Sequence, residues 1–230
     1  MEKSTTIDCI IVAAGEGKRL GSTMPKAFVD LGGKPLLLHS LECFNTHASI
    51  NSIVLAVPPD MLHETEKILS AAHCLKKTSI VPGGKERWQS VQSGVMAASA
   101  SWVLVHDAAR PFVSHAVIDS VLEKSKAANY DCVITVTPEV DTVRLFKDDR
   151  ALETVDRATL IRVGTPQLFK TSLLKNAFLK VETLDMSPTD EAMLIEACGI
   201  PVGIAWGDPL NFKITTKSDL MLAEALYARR

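Results

Sequence analysis

Short apolar runs alternate along the chain with longer amphipathic stretches. Six runs have the continuous apolar character of buried strands, namely Cys9–Ala14, Ile53–Val57, Thr78–Val81, Trp102–His106, Cys132–Val136 and Val202–Trp206. Seven stretches repeat apolar residues at three- and four-residue spacing, which predicts helices over Pro35–Phe44, Asp60–Ala72, Glu86–Ala98, Ser114–Ala128, Thr171–Thr183, Thr189–Cys198 and Thr216–Ala228. Apolar strands separated by helices are typical of a mostly parallel sheet covered on both faces. The pattern predicts a doubly wound, Rossmann-like α/β sandwich.

The stretch from Thr142 to Thr154 departs from this alternation. It contains two short extended segments around the turn-forming pair Asp148 and Asp149, which predicts a hairpin. The hairpin either protrudes as a β-arm or lies flat on the domain edge. Because no Pro-, Gly- or Ser-rich linker divides the chain, we predict one domain over residues 1–230 with the arm at about 140–157.

Composition narrows the class of protein. With 230 residues, 47% of them hydrophobic, the chain can bury a large core without disulfides. The 25 basic and 27 acidic residues give a net charge of -2, so no general positive field favours nucleic acid or an anionic membrane. The five cysteines form no C-x-x-C pair, and no apolar run has the length of a signal peptide or membrane span. We expect a cytoplasmic protein.

Ligands of parallel sheets bind beyond the carboxyl ends of the strands, and the first such end carries AAGEGKRLGSTMPKAF. Its glycines and cations are Gly15, Gly17, Lys18, Arg19 and Lys26. This composition favours a phosphate-binding loop, although a mobile surface turn with solvated cations is the alternative. A dinucleotide fingerprint would need glycine at Leu20, and no P-loop spacing occurs in the chain.

Three later strand ends carry further candidate binding residues. Gly83 and Ser90 flank a helix start whose backbone amides would suit a base or ribose, or form an ordinary helix entry. Asp107 and Arg110 would bind a hydroxyl or Mg²⁺ and an anion, or pair locally with each other. Lys213 has apolar neighbours within Asn211–Thr215; if this segment is a strand, Lys213 would face a phosphate or extend from the sheet edge into solvent.

Taken in order, the motifs AAGEGKRLGSTMPKAF, GGKERWQSV, HDAARPF, TPQLF, TDEA and NFKIT resemble the 2-C-methyl-D-erythritol 4-phosphate cytidylyltransferase family. The resemblance extends from about residue 8 to residue 227. The first motif is shared by many nucleotidyltransferases, whereas HDAARPF followed by TPQ and TDEA is much more specific to this family. The chain departs from the family at Ala27, where Gln is frequent, and at Ile161 and Gly164, where aromatic residues or Gln are frequent.

The resemblance implies an enzyme that joins CTP to methylerythritol phosphate, releases pyrophosphate and requires Mg²⁺. On the nucleotide side it implies that the backbone along CTP is Ala13, Ala14, Gly15 and Gly17, that Arg19 and Lys26 bind the triphosphate and stabilise the transition state, and that Gly83 and Ser90 contact cytidine. Asp107 would approach ribose, acceptor and metal. The residues implied to hold the acceptor are Arg110, Thr142, Arg157, Thr165, Thr189 and Lys213, with Arg157 and Lys213 orienting its phosphate. In the family the arm belongs to a homodimer.

Two other functions compete with this interpretation. The first is a cytidylyltransferase for another alditol phosphate, such as ribitol 5-phosphate, against which the second alanine of HDAAR argues. The second is a catalytically silent nucleotide sensor. Such a sensor would have no need of cations that act on the transition state, yet Arg19, Lys26, Arg157 and Lys213 are all present.

Overall fold

The computed structural model describes residues 6–15, 17–21, 24–72, 74–181 and 188–229, without the side chain of Lys18. Its strands are β1 (Ile7–Val12), β2 (Asp30–Leu31), β3 (Lys34–Pro35), β4 (Ser52–Val57), β5 (Lys77–Pro82), β6 (Trp102–Asp107), β7 (Cys132–Pro138), β8 (Val143–Lys147), β9 (Arg150–Val155), β10 (Ile161–Lys170) and β11 (Gly203–Trp206). Seven of them form one sheet in the order β11-β7-β10-β6-β1-β4-β5. All neighbours in this sheet are parallel except β10, which runs antiparallel to both β6 and β7.

The helices are α1 (Leu36–Thr46), α2 (Leu62–Ala71), α3 (Arg87–Ala97), α4 (His115–Ala128), α5 (Thr171–Phe178), α6 (Ala192–Ala197) and α7 (Lys217–Tyr227). They cover both faces of the sheet. Alternate residues of a strand point to opposite sides, so strands that are apolar throughout present an apolar surface on each face for helices to cover. Ile10 of β1 packs with the α3 and α5 side, whereas its neighbours Cys9 and Ile11 pack with the α1 and α4 side. The predicted doubly wound, mostly parallel sandwich is confirmed.

Several predicted boundaries are wrong. The helix predicted over Thr171–Thr183 ends at Phe178, and its predicted end lies outside the described residues. The helix predicted from Thr189 begins only at Ala192, since the preceding Asp190 side chain accepts a hydrogen bond from the amide of Met193 at 3.2 Å. Aspartate in that position is typical of a helix start and favours a later one.

Two strand predictions are also corrected. The longest strand, β10, is absent from the predicted set because Gly-Thr-Pro interrupts its apolar pattern. The structure accommodates these residues in an irregular register between Gly164 and Gln167. Conversely, Asn211–Thr215 is not a strand. The amide of Ile214 donates instead to the carbonyl of Ala109, which places Lys213 beside the end of β6.

Strands β8 and β9 form a separate two-stranded hairpin between Val143 and Val155. Asp148 and Asp149 connect the two strands with positive φ angles of 48° and 59°. Two consecutive left-handed residues form the turn that best matches the twist of a hairpin. Leu145, Phe146 and Leu152 on the hairpin are all exposed. In the part of the chain that the structure describes, no helix is long and apolar enough to cross a membrane.

Candidate active site

The carboxyl ends of β1 and β6 lie side by side, with Val12 paired to Asp107. A cleft of about 430 Å³ opens at this edge of the sheet, and we call it the β1–β6 cleft. Its wall includes Ala13, Ala14, Gly15, Gly17, Arg19, Lys26, Ser90, Asp107 and Lys213. The predicted loop after β1 and residues from three other chain segments therefore meet in one place, as expected for strand ends of a parallel sheet.

Local backbone geometry brings Lys26 to this cleft. Gly17 has a φ of 72°, and a Cβ at this position would lie 2.8 Å from the Cβ of Lys26. Only glycine permits both this conformation and this approach. The amide of Lys26 then donates to the carbonyl of Gly15 at 3.2 Å, which closes the loop. Lys18 begins a short helical turn here, and its side chain is outside the described part of the chain.

The cations of the cleft repel one another. Burial, together with the positive charges of Lys213 and Arg19, lowers the pKa of Lys26 to about 8. A group of positive charges that depress each other's protonation is favourable for a polyanion, because the anion relieves the repulsion. The β1–β6 cleft is therefore electrostatically suited to a triphosphate.

The opposite wall is formed by the loop between β5 and α3. A Cβ on Gly83 would lie 2.3 Å from the Cβ of Ala14, so this glycine allows the two loops to touch. Gly83 itself lies behind the wall, whereas Gly84 and Arg87 line the cleft. The amide of Gly84 donates to the hydroxyl of Ser90 at 3.1 Å, which fixes the loop on the first turn of α3.

Asp107 is the centre of a charged network. Its Oδ1 accepts from Nε of Arg87 at 2.9 Å, and its Oδ2 accepts from Nζ of Lys213 at 2.7 Å. Arg87 also donates to both carboxylate oxygens of Glu191, at 2.7 and 2.8 Å. Burial acts to raise the pKa of Asp107, but the charges of Arg87 and Lys213 outweigh it and hold the pKa well below its usual range. Asp107 is therefore ionised.

Two further recesses adjoin the cleft. The α6 recess, of about 420 Å³, shares Arg87, Asp107 and Lys213 with the β1–β6 cleft, and is also lined by Arg110, Gly164, Thr165, Gln167 and Thr189. The β7 recess, of about 210 Å³, is lined by Arg110, Arg162, Gly164, Asn211 and Lys213, among others. Lys213 therefore borders all three spaces, and a molecule in either recess would face a ligand in the cleft across it.

The positions at which the chain departs from the family lie at different distances from these spaces. Gly164 lines both recesses, and a Cβ there would lie 3.6 Å from a terminal nitrogen of Arg110, so its missing side chain leaves room beside that cation. Ala27 lines the β1–β6 cleft with its small buried side chain. Ile161 is partly exposed at the start of β10.

Two residues that the resemblance implies for the acceptor lie apart from the others. Thr142 and Arg157 are exposed at the two ends of the hairpin. One terminal nitrogen of Arg157 donates to the carbonyl of Val140 at 2.7 Å, which joins the two ends of the arm at its base. Among the described residues that line the cleft and both recesses, neither Thr142 nor Arg157 occurs.

Sequence reasoning did not assign Arg87 or Glu191 to the site. Both occur within motifs that carry the family resemblance, GGKER and TDEA, and that position in a motif was the available signal. Their contact could not be foreseen, because the two residues are 104 positions apart in the chain.

The donor set limits what metal the site can hold. Among the described residues, no group of three or more His, Cys, Asp or Glu side chains could hold a metal ion. Asp107 is the acidic residue that lines both the cleft and the α6 recess in the described part of the chain, and it is ionised. A single carboxylate fits Mg²⁺, which commonly takes one or two protein oxygens and completes its shell with water and substrate phosphates.

A family model and curated relatives point to one enzyme family. A model of the 2-C-methyl-D-erythritol 4-phosphate cytidylyltransferase family (IspD) matches residues 7–229. The enzyme of that name from Bacillus licheniformis is 37% identical over 220 residues, covering 95% of this chain and 94% of the relative. The one from Halalkalibacterium halodurans is 38% identical over 222 residues, covering 96% of each.

Solved structures of the same kind share the fold. The crystal structure of 2-C-methyl-D-erythritol 4-phosphate cytidylyltransferase from Thermus thermophilus superposes with a TM-score of 0.79 at 33% identity, covering 96% of this chain and 98% of the other. That of 4-diphosphocytidyl-2C-methyl-D-erythritol synthase from Anaerococcus prevotii gives a TM-score of 0.85 at 28% identity, covering 99% and 100%. Because the family model and the relatives span nearly the whole chain, the chain belongs to the 2-C-methyl-D-erythritol 4-phosphate cytidylyltransferase family.

Proposed function

We infer that the β1–β6 cleft binds the nucleotide and that the adjoining recesses bind the acceptor in the reaction of this family. The protein transfers the cytidylyl group of CTP to 2-C-methyl-D-erythritol 4-phosphate, a step of isoprenoid biosynthesis, and releases pyrophosphate. The observation that carries the inference is the position of Lys213, which borders the cleft and both recesses. A phosphate held there would lie at the boundary between the two substrates.

The chemistry is the attack of an acceptor phosphate oxygen on the α-phosphorus of CTP. The new P–O bond forms as the bond to the leaving pyrophosphate breaks, and the electron pair of that bond stays with pyrophosphate. The nucleophile is already an anion, so the protein need not remove a proton from it. Its task is to align two anions that repel each other and to neutralise the charge that develops on the leaving group.

We assign the charge stabilisation to Arg19 and Lys26, whose side chains line the cleft. The backbone of Ala13, Ala14, Gly15 and Gly17 would lie along the nucleotide, with Ser90 and the Gly83–Gly84 turn beside the cytidine. Gly83 shapes this wall from behind, through its contact with Ala14. We expect a wall built from two touching loops to accept a pyrimidine and to exclude a larger purine.

On the acceptor side, we assign Arg110, Thr189 and Lys213 to the methylerythritol phosphate. Arg110 supports this because its buried Nε has no hydrogen-bond partner among the described residues, while one terminal nitrogen donates to the carbonyl of Asn211 at 2.8 Å. Lys213 pairs with Asp107, and a phosphate bound in the recess would form a second ion pair with the Lys213 ammonium group. Thr165 lines the same recess, with its hydroxyl engaged inside the protein.

Mg²⁺ is the proposed cofactor, with Asp107 as its protein ligand and the remaining positions taken by phosphate oxygens and water. The ion would withdraw charge from the phosphates of CTP. The protein's own contribution at this point is to keep the Asp107 carboxylate ionised and in place between the β1–β6 cleft and the α6 recess, which Arg87 and Lys213 do.

We also propose a homodimer in which the hairpin of one subunit completes the acceptor site of its partner. The exposed apolar side chains of the hairpin support an intermolecular contact, since Phe146 is 79% exposed. Thr142 and Arg157 would then act in the partner's recess. The five cysteines, all of them described, form no disulfide, which fits a reducing compartment, and we place the enzyme in the cytoplasm.

The direct test is pyrophosphate release by the purified protein with CTP, Mg²⁺ and one acceptor at a time. We expect turnover with methylerythritol phosphate and little with ribitol 5-phosphate. Preferential turnover of ribitol 5-phosphate would contradict the proposed acceptor recess. Absence of release with every acceptor would contradict the proposed catalytic roles of Arg19 and Lys26.

A further inference from the structure

Glu191 lies immediately before α6 and has no exposed surface. Both of its carboxylate oxygens contact one terminal nitrogen of Arg87, at 2.7 and 2.8 Å. Its backbone carbonyl accepts from the amides of Leu194 and Ile195, so the residue is held by the helix start as well. A buried carboxylate is costly unless it is paired, and Arg87 supplies the pairing charge.

Arg87 connects this carboxylate to the active site. It is the first residue of α3, directly after the loop that forms one wall of the β1–β6 cleft. Its Nε donates to Oδ1 of Asp107 while its terminal nitrogen remains on Glu191. The guanidinium is planar and rigid, so fixing one terminal nitrogen on Glu191 restricts the direction in which Nε points. A lysine, as a point charge, could not hold both acids in this geometry.

Asp107 has two partners of different character. Lys213, bonded to its Oδ2, also borders the acceptor recesses and is exposed enough to move towards a bound phosphate. Arg87 also lines the cleft and the α6 recess, but its Nε and one terminal nitrogen are already engaged by Asp107 and Glu191. When Lys213 shares its charge with the acceptor, Arg87 is the contact that keeps the Asp107 carboxylate in place.

We propose that Glu191 is a positioning residue for cytidylyl transfer, which acts by holding Arg87 on Asp107. This inference rests on the proposed role of Asp107 between nucleotide, acceptor and metal. It assigns a part in the reaction to a buried side chain that lines neither the cleft nor the recesses. Glu191, Arg87 and Asp107 form a single chain of contacts from the start of α6 to the end of β6.

A purely electrostatic role for Glu191 would have a different signature. Removing its negative charge makes the surroundings of the cleft more positive, which by itself favours the binding of anions and lowers KM. Loss of positioning instead lowers kcat, because small displacements of a catalytic group cost large factors in rate. The separation of kcat from KM therefore distinguishes the two roles.

The first experiment measures kcat and the KM values for CTP and methylerythritol phosphate in Glu191→Gln. We expect kcat to fall about 10- to 100-fold, with neither KM raised. Glu123→Gln is the matched control, since it removes an exposed carboxylate from α4 that lines neither the cleft nor the recesses, and we expect wild-type turnover. Unchanged kcat in Glu191→Gln, or an equal loss in Glu123→Gln, would overturn the proposal.

The second experiment repeats Glu191→Gln in an Asp107→Asn background. If Glu191 acts only through Asp107, the second substitution causes no further loss of kcat. A further loss of the same size as in the wild-type background would show that Glu191 supports the fold or another group. Full turnover in Asp107→Asn alone would instead remove the proposed role of Asp107, which is a different failure.

Arg87→Lys provides an independent variant if Glu191→Gln does not fold, as judged by circular dichroism and thermal unfolding. It keeps the positive charge but reaches only one of the two acids. We expect a reduced kcat with little change in either KM, and again no further loss in the Asp107→Asn background. Wild-type kcat in a folded Arg87→Lys protein would overturn the proposal.

Discussion

The hydroxyl of Thr165 donates to Nδ1 of the buried His106 ring across 3.1 Å. The direction follows from the other ring nitrogen, because Nε2 lies 3.2 Å from the carbonyl of Arg110 and must carry the proton. Burial lowers the pKa of His106 to about 3, so the ring is neutral. The same hydroxyl oxygen accepts from the backbone amide of Asp107 at 3.1 Å. Thr165 thereby ties β10 to the strand end that presents Asp107.

Thr165→Val should therefore lower both the thermal stability of the protein and its rate of catalysis. The substitution leaves the Asp107 amide and Nδ1 of His106 without partners in a buried site, at a cost of about 1–3 kcal/mol for each group. For a domain of this size the melting temperature falls by roughly 2–4 °C per kcal/mol. Thermal unfolding of Thr165→Val measures this loss, and Thr165→Ser, which keeps the hydroxyl, should retain most of the stability. Equal stability of the valine and wild-type proteins would show that these hydrogen bonds are unimportant.

Arg19→Ala and Lys26→Ala should lower kcat much more than they weaken substrate binding. Both cations line the cleft where charge develops on the α-phosphate and the leaving pyrophosphate. Removal of one such stabilising group costs roughly 10²–10³-fold in rate. Steady-state kinetics at saturating CTP and Mg²⁺ measures the effect, with Lys67→Ala on the exposed face of α2 as the control. Near wild-type turnover in either cleft variant would remove that residue from the catalytic set.

The pH dependence of kcat/KM for CTP should report Lys26. Its pKa is lowered to about 8, and it must be protonated to bind the triphosphate. Activity at low CTP should therefore fall as the pH rises above about 8, because the cation is lost. Bound nucleotide favours the charged form, so the corresponding fall in kcat should occur at higher pH.

Lys26→Arg separates this residue from other groups that titrate in the same range. A guanidinium stays charged throughout the experiment. Whatever its absolute rate, the arginine variant should lose the alkaline fall in kcat/KM. Persistence of that fall in Lys26→Arg would assign it to another group.

The close approach of Gly83 and Ala14 should control nucleotide binding. A Cβ added at Gly83 would lie 2.3 Å from the Cβ of Ala14 and 2.9 Å from Oγ of Ser90, so Gly83→Ala must push the two walls of the cleft apart. We expect a raised KM for CTP and weaker discrimination against ATP and GTP, because a looser wall no longer pairs the base edge. Competition kinetics with the three nucleotides measures both effects.

A compensating substitution tests the cause. Ala14→Gly combined with Gly83→Ala moves the methyl group from one wall to the other, which should restore part of the CTP affinity. The restoration should be incomplete, because the Ser90 hydroxyl still lies close to the new Cβ. If Gly83→Ala alone binds CTP normally, or if wild-type protein uses ATP as well as CTP, the proposed cytidine wall is wrong.

The functional residues at the strand ends could be predicted because those of each strand end are close together in the sequence. Gly17 and Lys26 belong to one loop, and Asp107 and Arg110 to another, so composition and position after a strand were sufficient. The fold class followed in the same way from the alternation of apolar runs and amphipathic stretches.

The ion pairs inside the site could not be predicted, since they depend on how distant segments pack. Asp107 and Lys213 are 106 positions apart, and their contact exists only because Ile214 bonds to the carbonyl of Ala109. Strand β10 was missed for a local reason, because its Pro166 stands in the middle of a buried strand, where proline is tolerated only at an irregular register. That strand lies between the parallel pair β11–β7 and the four parallel strands β6, β1, β4 and β5, and it sets the distance between β6 and β7.

The hairpin supplies the last prediction, which concerns the dimer. Arg157 and Thr142 lie at the base of an exposed arm and line neither the cleft nor the recesses of their own chain, as far as the described residues show. Lys26, in contrast, lies in the cleft of its own chain. In a two-fold dimer the exchange is reciprocal, so each acceptor site would combine Lys26 of one subunit with Arg157 of the other.

Arg157→Ala and Lys26→Ala proteins should therefore be nearly inactive alone and regain activity when they are assembled into mixed dimers. One site of a mixed dimer would carry both wild-type residues, and the other site would carry both substitutions. Random assembly makes about half of the dimers mixed. If the two sites work independently, the unseparated mixture should have about one quarter of wild-type activity and purified mixed dimers about one half. Pyrophosphate release by mixed dimers, purified through a different affinity tag on each variant, measures the recovery. Mixed dimers without recovered activity would show that the arm serves its own subunit, because in that arrangement every site would carry one of the two substitutions.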